Sequence, residues 1–196
     1  PPRQRGREQA QDGEEMKKAG ILTLSDKGAS GQRRDASGPL ISEILSGLGI
    51  HVETMEVIPD DLELIRHRLI AWSDESGLDL IVTTGGTGLS PRDVTPEATL
   101  SVIDRRVPGM EEVMRAESMK KTPHAMISRA VAGARGRTLI INLPGSPKAA
   151  RECLEAVLPA LPHALDKLGG DMSECAQFEH GPDRLPGTIA SPARKE

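Results

Sequence analysis

Tyrosine is absent from this chain of 196 residues, and tryptophan and phenylalanine occur once each. A core must therefore be assembled from Leu, Ile, Val, Ala and Met. The same shortage excludes an aromatic stacking platform of the kind that binds single-stranded nucleic acid. Cysteine is scarce too: Cys153 stands in a helical pattern and Cys175 in the C-terminal tail, without metal-ligand spacing, so the first reads as core and the second as incidental. No apolar run approaches the roughly 20 residues of a membrane span, and the N-terminus lacks a signal-peptide core, so a cytoplasmic protein with no membrane partner is expected. Positive charge is not in excess either. Lys and Arg number 25 against 29 Asp and Glu, a net charge of -4, and such a field disfavours nucleic acid as a partner. Any phosphate has to be gripped locally.

What is present falls into three parts. Residues 1–18 are polar and charged and read as a flexible extension. Residues 171–196, with Pro182, Pro186 and Pro192 too close for regular structure, read as a flexible tail. The folded unit is expected over 19–170.

Within that unit strand and helix periods alternate. Ala19–Ser25 reads as a strand. Ser37, Gly38 and Pro39 open a helix with an apolar face of Leu40, Ile44, Leu45 and Leu48, stopped by Gly47 and Gly49. Ile50–Ile58 is a second strand, after which Asp60 or Asp61 caps a helix bearing Leu62, Ile65, Leu69 and Trp72. Leu78–Thr84 is apolar at consecutive positions, as a strand covered on both faces should be. Thr95 as N-cap and Pro96 as first residue start another helix. Two helical stretches are expected between Pro108 and Gly133, then a strand at Arg137–Gly145, then a last helix from Ser146-Pro147 that Pro159 and Pro162 should bend. The alternation predicts an α/β fold, a three-layer sandwich whose mostly parallel sheet is covered by helices on both faces.

In such sheets ligands bind beyond the carboxyl ends of the strands. Three loops there are unusual: SDKGASG after the first strand, TTGGTGLSPRD after the third and NLPGSPKA after the last. Gly85, Gly86 and Gly88 either make a tight strand-to-helix turn or let backbone amides close on an anion or a flat ring, with Thr83, Thr84 and Thr87 adding hydroxyls. The spacing is neither a Walker A loop nor a dinucleotide fingerprint. Gly145 and Ser146 stand where a helix dipole favours an anion, though an ordinary capped start gives the same pattern. Asp26, Asp60, Asp61 and Asp93 all follow strands. Carboxylates beside phosphate repel unless a cation bridges them, which points to Mg²⁺; the plainer readings are an N-cap at Asp60 or Asp61 and an Arg92–Asp93 ion pair. His51, His67, His124, His163 and His180 are scattered, and Met110, Met114 and Met119 read as packing.

Two segments carry a resemblance. TTGGTGLSPRDVTPEAT, and TPHAMISRAVAGARGRTLIINLPGSPKAARECLEAVLPALPHAL further on, resemble the molybdopterin adenylyltransferases, the MogA/MoaB group that includes the N-terminal domain of gephyrin and the G domain of the plant molybdenum-cofactor protein. The likeness runs over about 19–170. It implies a homotrimer that transfers AMP from Mg-ATP to the terminal phosphate of molybdopterin and releases pyrophosphate, with a molybdenum-insertion enzyme as pathway partner. The attacking group is then the substrate's own phosphate, so the protein chiefly positions two anions and neutralises charge. By resemblance Asp60, Asp93 and Ser128 are catalytic, Asp60 and Asp93 also being the Mg²⁺ candidates and Ser128 handling the pterin. Ser25, Asp26, Asp35, Ser37, Thr84, Gly85, Gly86, Thr87, Gly88, Arg92, Asn142, Pro144, Gly145 and Ser146 fall on loops around the substrates. The middle of SDKGASGQRRDASG departs from the family pattern. A pterin-binding scaffold and a metal-insertion protein of the same fold are the alternative functions.

Overall fold

The computed structural model describes residues 16–171. β1 (Lys18–Leu24) leads through a short helix α1 (Asp26–Ala29) to α2 (Ser37–Gly47), and β2 (His51–Ile58) to α3 (Leu62–Ile70), which runs on as a π-helical turn at Ala71–Glu75. β3 (Leu80–Thr84) is followed by α4 (Thr95–Leu100), β4 (Arg105–Arg106), α5 (Pro108–Met119) and a 3-10 turn at Pro123–Ile127. β5 (Ala132–Arg135), β6 (Thr138–Leu143) and α6 (Pro147–Val157) come next, and after a 3-10 turn at Leu158–Ala160 the fold closes with α7 (Leu161–Gly169).

The six strands lie in the order β2-β1-β3-β6-β5-β4. The first four are parallel, and β5 and β4 complete the sheet antiparallel. Helices cover both faces, so the expected three-layer α/β sandwich is what forms. Its strands show why they lack polar alternation: in β1, Ala19 and Ile21 join one core while Leu22 and Leu24 join the other. β6 divides likewise, Leu139, Ile141 and Leu143 facing one way and Ile140 the other. A strand wet on neither side has to be apolar at successive positions. Ile41 and Leu45 of α2, Met110 and Met114 of α5, Leu154 of α6 and Leu165 of α7 seal the first core. Ile65 and Leu69 of α3 and Ala98 of α4 seal the second, with Trp72. The single Trp packs on bare backbone, since a Cβ on Gly20 would stand 2.8 Å from its ring.

Several details differ from the sequence reading. Lys18, placed in the flexible extension, opens β1, and its amide donates to the Asp79 carboxylate at 2.8 Å. Otherwise the extension and the tail, Cys175 and His180 among them, fall outside the described residues apart from 16, 17 and 171. In α2 the buried positions are Ile41 and Leu45, whereas Leu48 is exposed. Leu62 is likewise exposed at the start of α3, where Asp61 rather than Asp60 is the cap, accepting from the Leu64 amide at 2.9 Å. Val94, not Thr95, occupies the N-cap of α4, because the Thr95 hydroxyl donates to the Gly85 carbonyl at 3.0 Å and a tertiary partner displaces the local one.

The larger difference lies at the antiparallel edge. Of the two helical stretches expected between Pro108 and Gly133, the second is a single 3-10 turn, and β5 follows it. Ala132, Gly133 and Ala134 carry too little apolar surface to signal a strand. Gly133 is bare because a Cβ there would meet Ile103 Cδ1 at 2.5 Å and the Arg105 carbonyl at 2.7 Å. Glu111, 2% exposed, ties this edge to α5 by accepting from Arg106 at 2.7 Å and from the Ala132 amide at 3.2 Å. Pro159 and Pro162 do interrupt the last helical run, as the 3-10 turn between α6 and α7 shows.

Candidate active site

Parallel pairing sets Thr23 beside Thr84 and Thr84 beside Leu143, so the chain leaves β1, β3 and β6 at one level and the three loops share a rim. They are also sewn together. The Gly85 amide donates to the Leu143 carbonyl at 3.0 Å, the Thr84 hydroxyl to the Pro144 carbonyl at 2.8 Å, and the Ser37 hydroxyl at the head of α2 to the Gly145 carbonyl at 3.0 Å. Ser25 caps α1 by accepting from the Gly28 amide at 3.0 Å.

Between the loops lies a hollow of about 550 Å³. Ser25, Asp35, Ser37, Asp60, Thr84, Gly85, Gly86, Asp93, Gly145 and Ser146, all singled out in the sequence, line it. Glycine is obligatory at the centre. Gly86 holds a left-handed φ of 61°, and a Cβ there would overlap the Thr95 hydroxyl and stand 2.9 Å from Asp60 Oδ1. At Gly88 a Cβ would stand 2.8 Å from Asp93 Oδ2. The two carboxylates thus press on opposite ends of one glycine loop, which keeps a conformation that no larger residue would take. At the far wall α6 begins, and its cap Ser146 makes no side-chain hydrogen bond to the helix, so that hydroxyl and the helix N-terminus face the hollow together.

The carboxylates are not equivalent. Asp35 is committed to the fold: Oδ2 accepts from Thr23 at 2.9 Å, and Oδ1 from the amides of Ser37 and Gly38 at 2.9 and 3.1 Å. Asp93 Oδ2 accepts from the Ser90 amide at 2.9 Å. Asp60 is half-buried, accepts from the Asp26 amide at 3.2 Å, and is pushed above the ordinary 3.8 chiefly by desolvation, with the charges of Asp26 and Asp93 adding to it against the backbone bond. Arg92 does not form the ion pair with Asp93 that is the plainer reading of that carboxylate. Its guanidinium forks onto Asp26 at 2.7 and 3.0 Å across the rim, and that hydrogen bond holds the Asp26 carboxyl below the usual range.

A second hollow, of about 260 Å³, adjoins the first through the same loops: Thr87, Gly88 and Pro144 line it where Gly85, Gly86 and Gly145 line the other. Met114, Ala125, Ile127, Ala130, Ala149 and Cys153 make it mostly apolar, with Ser118, His124, Ser128 and Arg115 as polar points. Ser128, grouped by sequence with Asp60 and Asp93, belongs here. Cys153 is buried as expected, and burial pushes its thiol up. Asn142 belongs to neither hollow. It is fully buried, donating to Thr83 and Thr99 at 2.9 Å each and accepting from the Val131 amide at 3.2 Å, so its amide is spent on the scaffold and has nothing left for a substrate.

Sequence reasoning passed over Arg33 and Arg34, which line the first hollow. The adjacent arginines in the loop after β1 were the available signal. It also passed over the second hollow as a site, because α5, α6 and the 3-10 turn meet there only in three dimensions.

Mg²⁺ fits the first hollow as an ion shared with a ligand. Among the described residues no group of three or more His, Cys, Asp or Glu side chains could hold a metal, but Asp60 and Asp93 both line the hollow, where phosphate oxygens would have to complete the shell. The desolvated Asp60 carboxylate is the group such a charge would relieve.

A family model described as "Probable molybdopterin binding domain" matches residues 20–163. The chain is 47% identical over 157 residues to the molybdopterin adenylyltransferase of Helicobacter pylori strain J99, covering 78% of this chain and 88% of that one. To the Escherichia coli molybdopterin adenylyltransferase it is 38% identical over 178 residues, covering 88% and 91%. Among solved structures it is similar to the molybdopterin biosynthesis enzyme MoaB of Thermus thermophilus, at 56% identity and a TM-score of 0.76, covering 80% and 98%.

Proposed function

The chain belongs to the molybdopterin-binding domain family, and we propose that it acts there as a molybdopterin adenylyltransferase in molybdenum cofactor biosynthesis. It takes AMP from ATP onto the terminal phosphate of molybdopterin and releases pyrophosphate. One observation carries the reading: loops from three strands converge on a polar hollow with two carboxylates at the two ends of a glycine loop, and an apolar hollow lies on the other side of that loop.

The division of labour follows from the walls. The apolar hollow suits the flat pterin, with Ser128 and Thr87 to orient it. The polar hollow takes the polyphosphate, cradled by the Gly85–Gly86 backbone, Gly145, Ser146 and the start of α6. The phosphate of the pterin then reaches the α-phosphorus over the glycine loop, and positioning supplies most of the catalysis because no protein nucleophile is needed. Asp60 and Asp93 would hold Mg²⁺ arriving with ATP, whose charge, when bound, neutralises the phosphate oxygens. Asn142 and Asp35 act from behind, fixing β6 and the head of α2.

The proposed catalytic unit is residues 19–170, in a cytoplasmic homotrimer that hands its product to a molybdenum-insertion enzyme. Leu89, Met126 and Ile127, on segments joined by the Arg129 amide and side chain to Thr87 and Gly88, expose apolar surface that a second copy would cover.

Incubation of the protein with molybdopterin and Mg-ATP tests the reading. Adenylylated pterin and pyrophosphate should appear in equal amounts and form more slowly by about a hundredfold or more in Asp93→Asn, the scale set by one electrostatic partner; tight pterin binding with no pyrophosphate would replace the enzyme by a scaffold.

A further inference from the structure

Charge in the first hollow is unevenly spoken for. Three carboxylates line it, of Asp35, Asp60 and Asp93, and the only cations among the described residues that do so are Arg33 and Arg34. Asp35 is occupied by Thr23 and two backbone amides, and the nearby Arg92 is occupied by Asp26. Neither Arg33 nor Arg34 forms an ion pair or donates a side-chain hydrogen bond to another described residue. Two free guanidinium groups therefore stand over a hollow whose remaining charge is negative.

We infer that Arg33 and Arg34 grip the β- and γ-phosphates of the nucleotide and keep hold of them as pyrophosphate departs. The inference rests on the adenylyl-transfer reading and names the part of the substrate these side chains select. Planar forks with fixed donors suit the paired oxygens of neighbouring phosphates. In the transfer a phosphate oxygen of the pterin bonds to the α-phosphorus while the bond from that phosphorus to the bridging oxygen breaks, the electron pair leaving with pyrophosphate. Negative charge thus grows on the leaving group, where fixed positive charge lowers the barrier. The pterin phosphate is the less suitable target, because it enters from the second hollow, which neither Arg33 nor Arg34 lines. Arg33 and Arg34 lie between α1 and α2, whereas Asp60 follows β2 and Asp93 follows β3, so separate segments supply the cations for the polyphosphate and the carboxylates for a cation at the α-phosphate.

Calorimetry on the full chain without pterin tests this with three probes in Mg²⁺ buffer: α,β-methylene-ATP, AMP and inorganic pyrophosphate. Each arginine removed should weaken the triphosphate analogue and pyrophosphate by about tenfold, so on the order of a hundredfold in the Arg33→Ala, Arg34→Ala double variant, as expected for charge-assisted hydrogen bonds. AMP binding should stay within about twofold, and the slope of affinity against salt should fall. The Arg33→Lys, Arg34→Lys pair should recover part of the affinity, while Lys120→Ala, which removes an exposed cation paired to Glu117 on α5, should change nothing. Unchanged pyrophosphate affinity in the double variant, or a rise in the KM for pterin with that for ATP unmoved, overturns the inference. Wild type that prefers the triphosphate to AMP through these arginines but forms no adenylylated pterin supports the polyphosphate site and overturns the proposed reaction instead.

Discussion

The two hollows differ in nearly everything except the loop that separates them. The first is built from strand-to-helix loops, holds carboxylates and arginines, and has glycine where a side chain would collide with those carboxylates. The second is built from helix faces and a 3-10 turn, is mostly apolar, and buries a thiol. A reaction between a nucleotide's phosphate and a phosphate tethered to a flat ring needs both kinds of surface side by side. One glycine loop facing both ways supplies that, so damage on either side should separate chemistry from recognition.

The largest effects are expected from the carboxylates. Asp60→Asn and Asp93→Asn should each lower kcat by about 10²–10³-fold, the scale of losing one electrostatic partner of the reacting group. Pterin affinity measured by fluorescence should hold, and a parallel fall in it would break the separation of the hollows. Gly86→Ala attacks the wall itself. With a left-handed φ and no space for the methyl, it should cost about 1–3 kcal/mol of stability in denaturant unfolding and lower kcat in the folded fraction by about tenfold, less than either carboxylate change.

The carboxylates and glycines are also what the sequence made legible. Gly85, Gly86, Gly88, Asp60 and Asp93 announce themselves because backbone conformation and charge after a strand are local properties, and parallel register then carries the loops to one rim. What stayed hidden was set by tertiary choice. Arg92 had Asp93 next door and took Asp26 from another loop. Asn142 looked like a loop residue and is a buried brace. β5 was unreadable because its short side chains carry little apolar surface, Gly133 being kept bare by Ile103 and the Arg105 carbonyl. The second hollow has no linear motif at all; resemblance supplied Ser128, and only the fold shows what surrounds it.

Smaller effects sharpen the second side. Ser128→Ala removes one orienting hydroxyl and should raise the KM for pterin by about tenfold, in line with one lost hydrogen bond, while leaving that for ATP unchanged. The smallest effect is one of pH. Because the Asp60 carboxyl is raised, its contribution favours the folded state below 3.8 and is lost as pH rises through the raised value. Asp60→Asn should therefore unfold at a slightly higher temperature than wild type at neutral pH without ligands, although its turnover is lower. For wild type, the acid limb of kcat/KM should fall off above 3.8, where the ionised form needed for Mg²⁺ is lost first.

Everything rests on a polyphosphate hollow and a pterin hollow paired across one loop. A crystal structure of the protein with Mg²⁺, α,β-methylene-ATP and molybdopterin tests it most directly. The α-phosphate should lie over Gly86 between Asp60 and Asp93, with the pterin ring beside Met114 and Ser128. Both ligands in a single hollow, or a nucleotide bound away from Gly86, would contradict it.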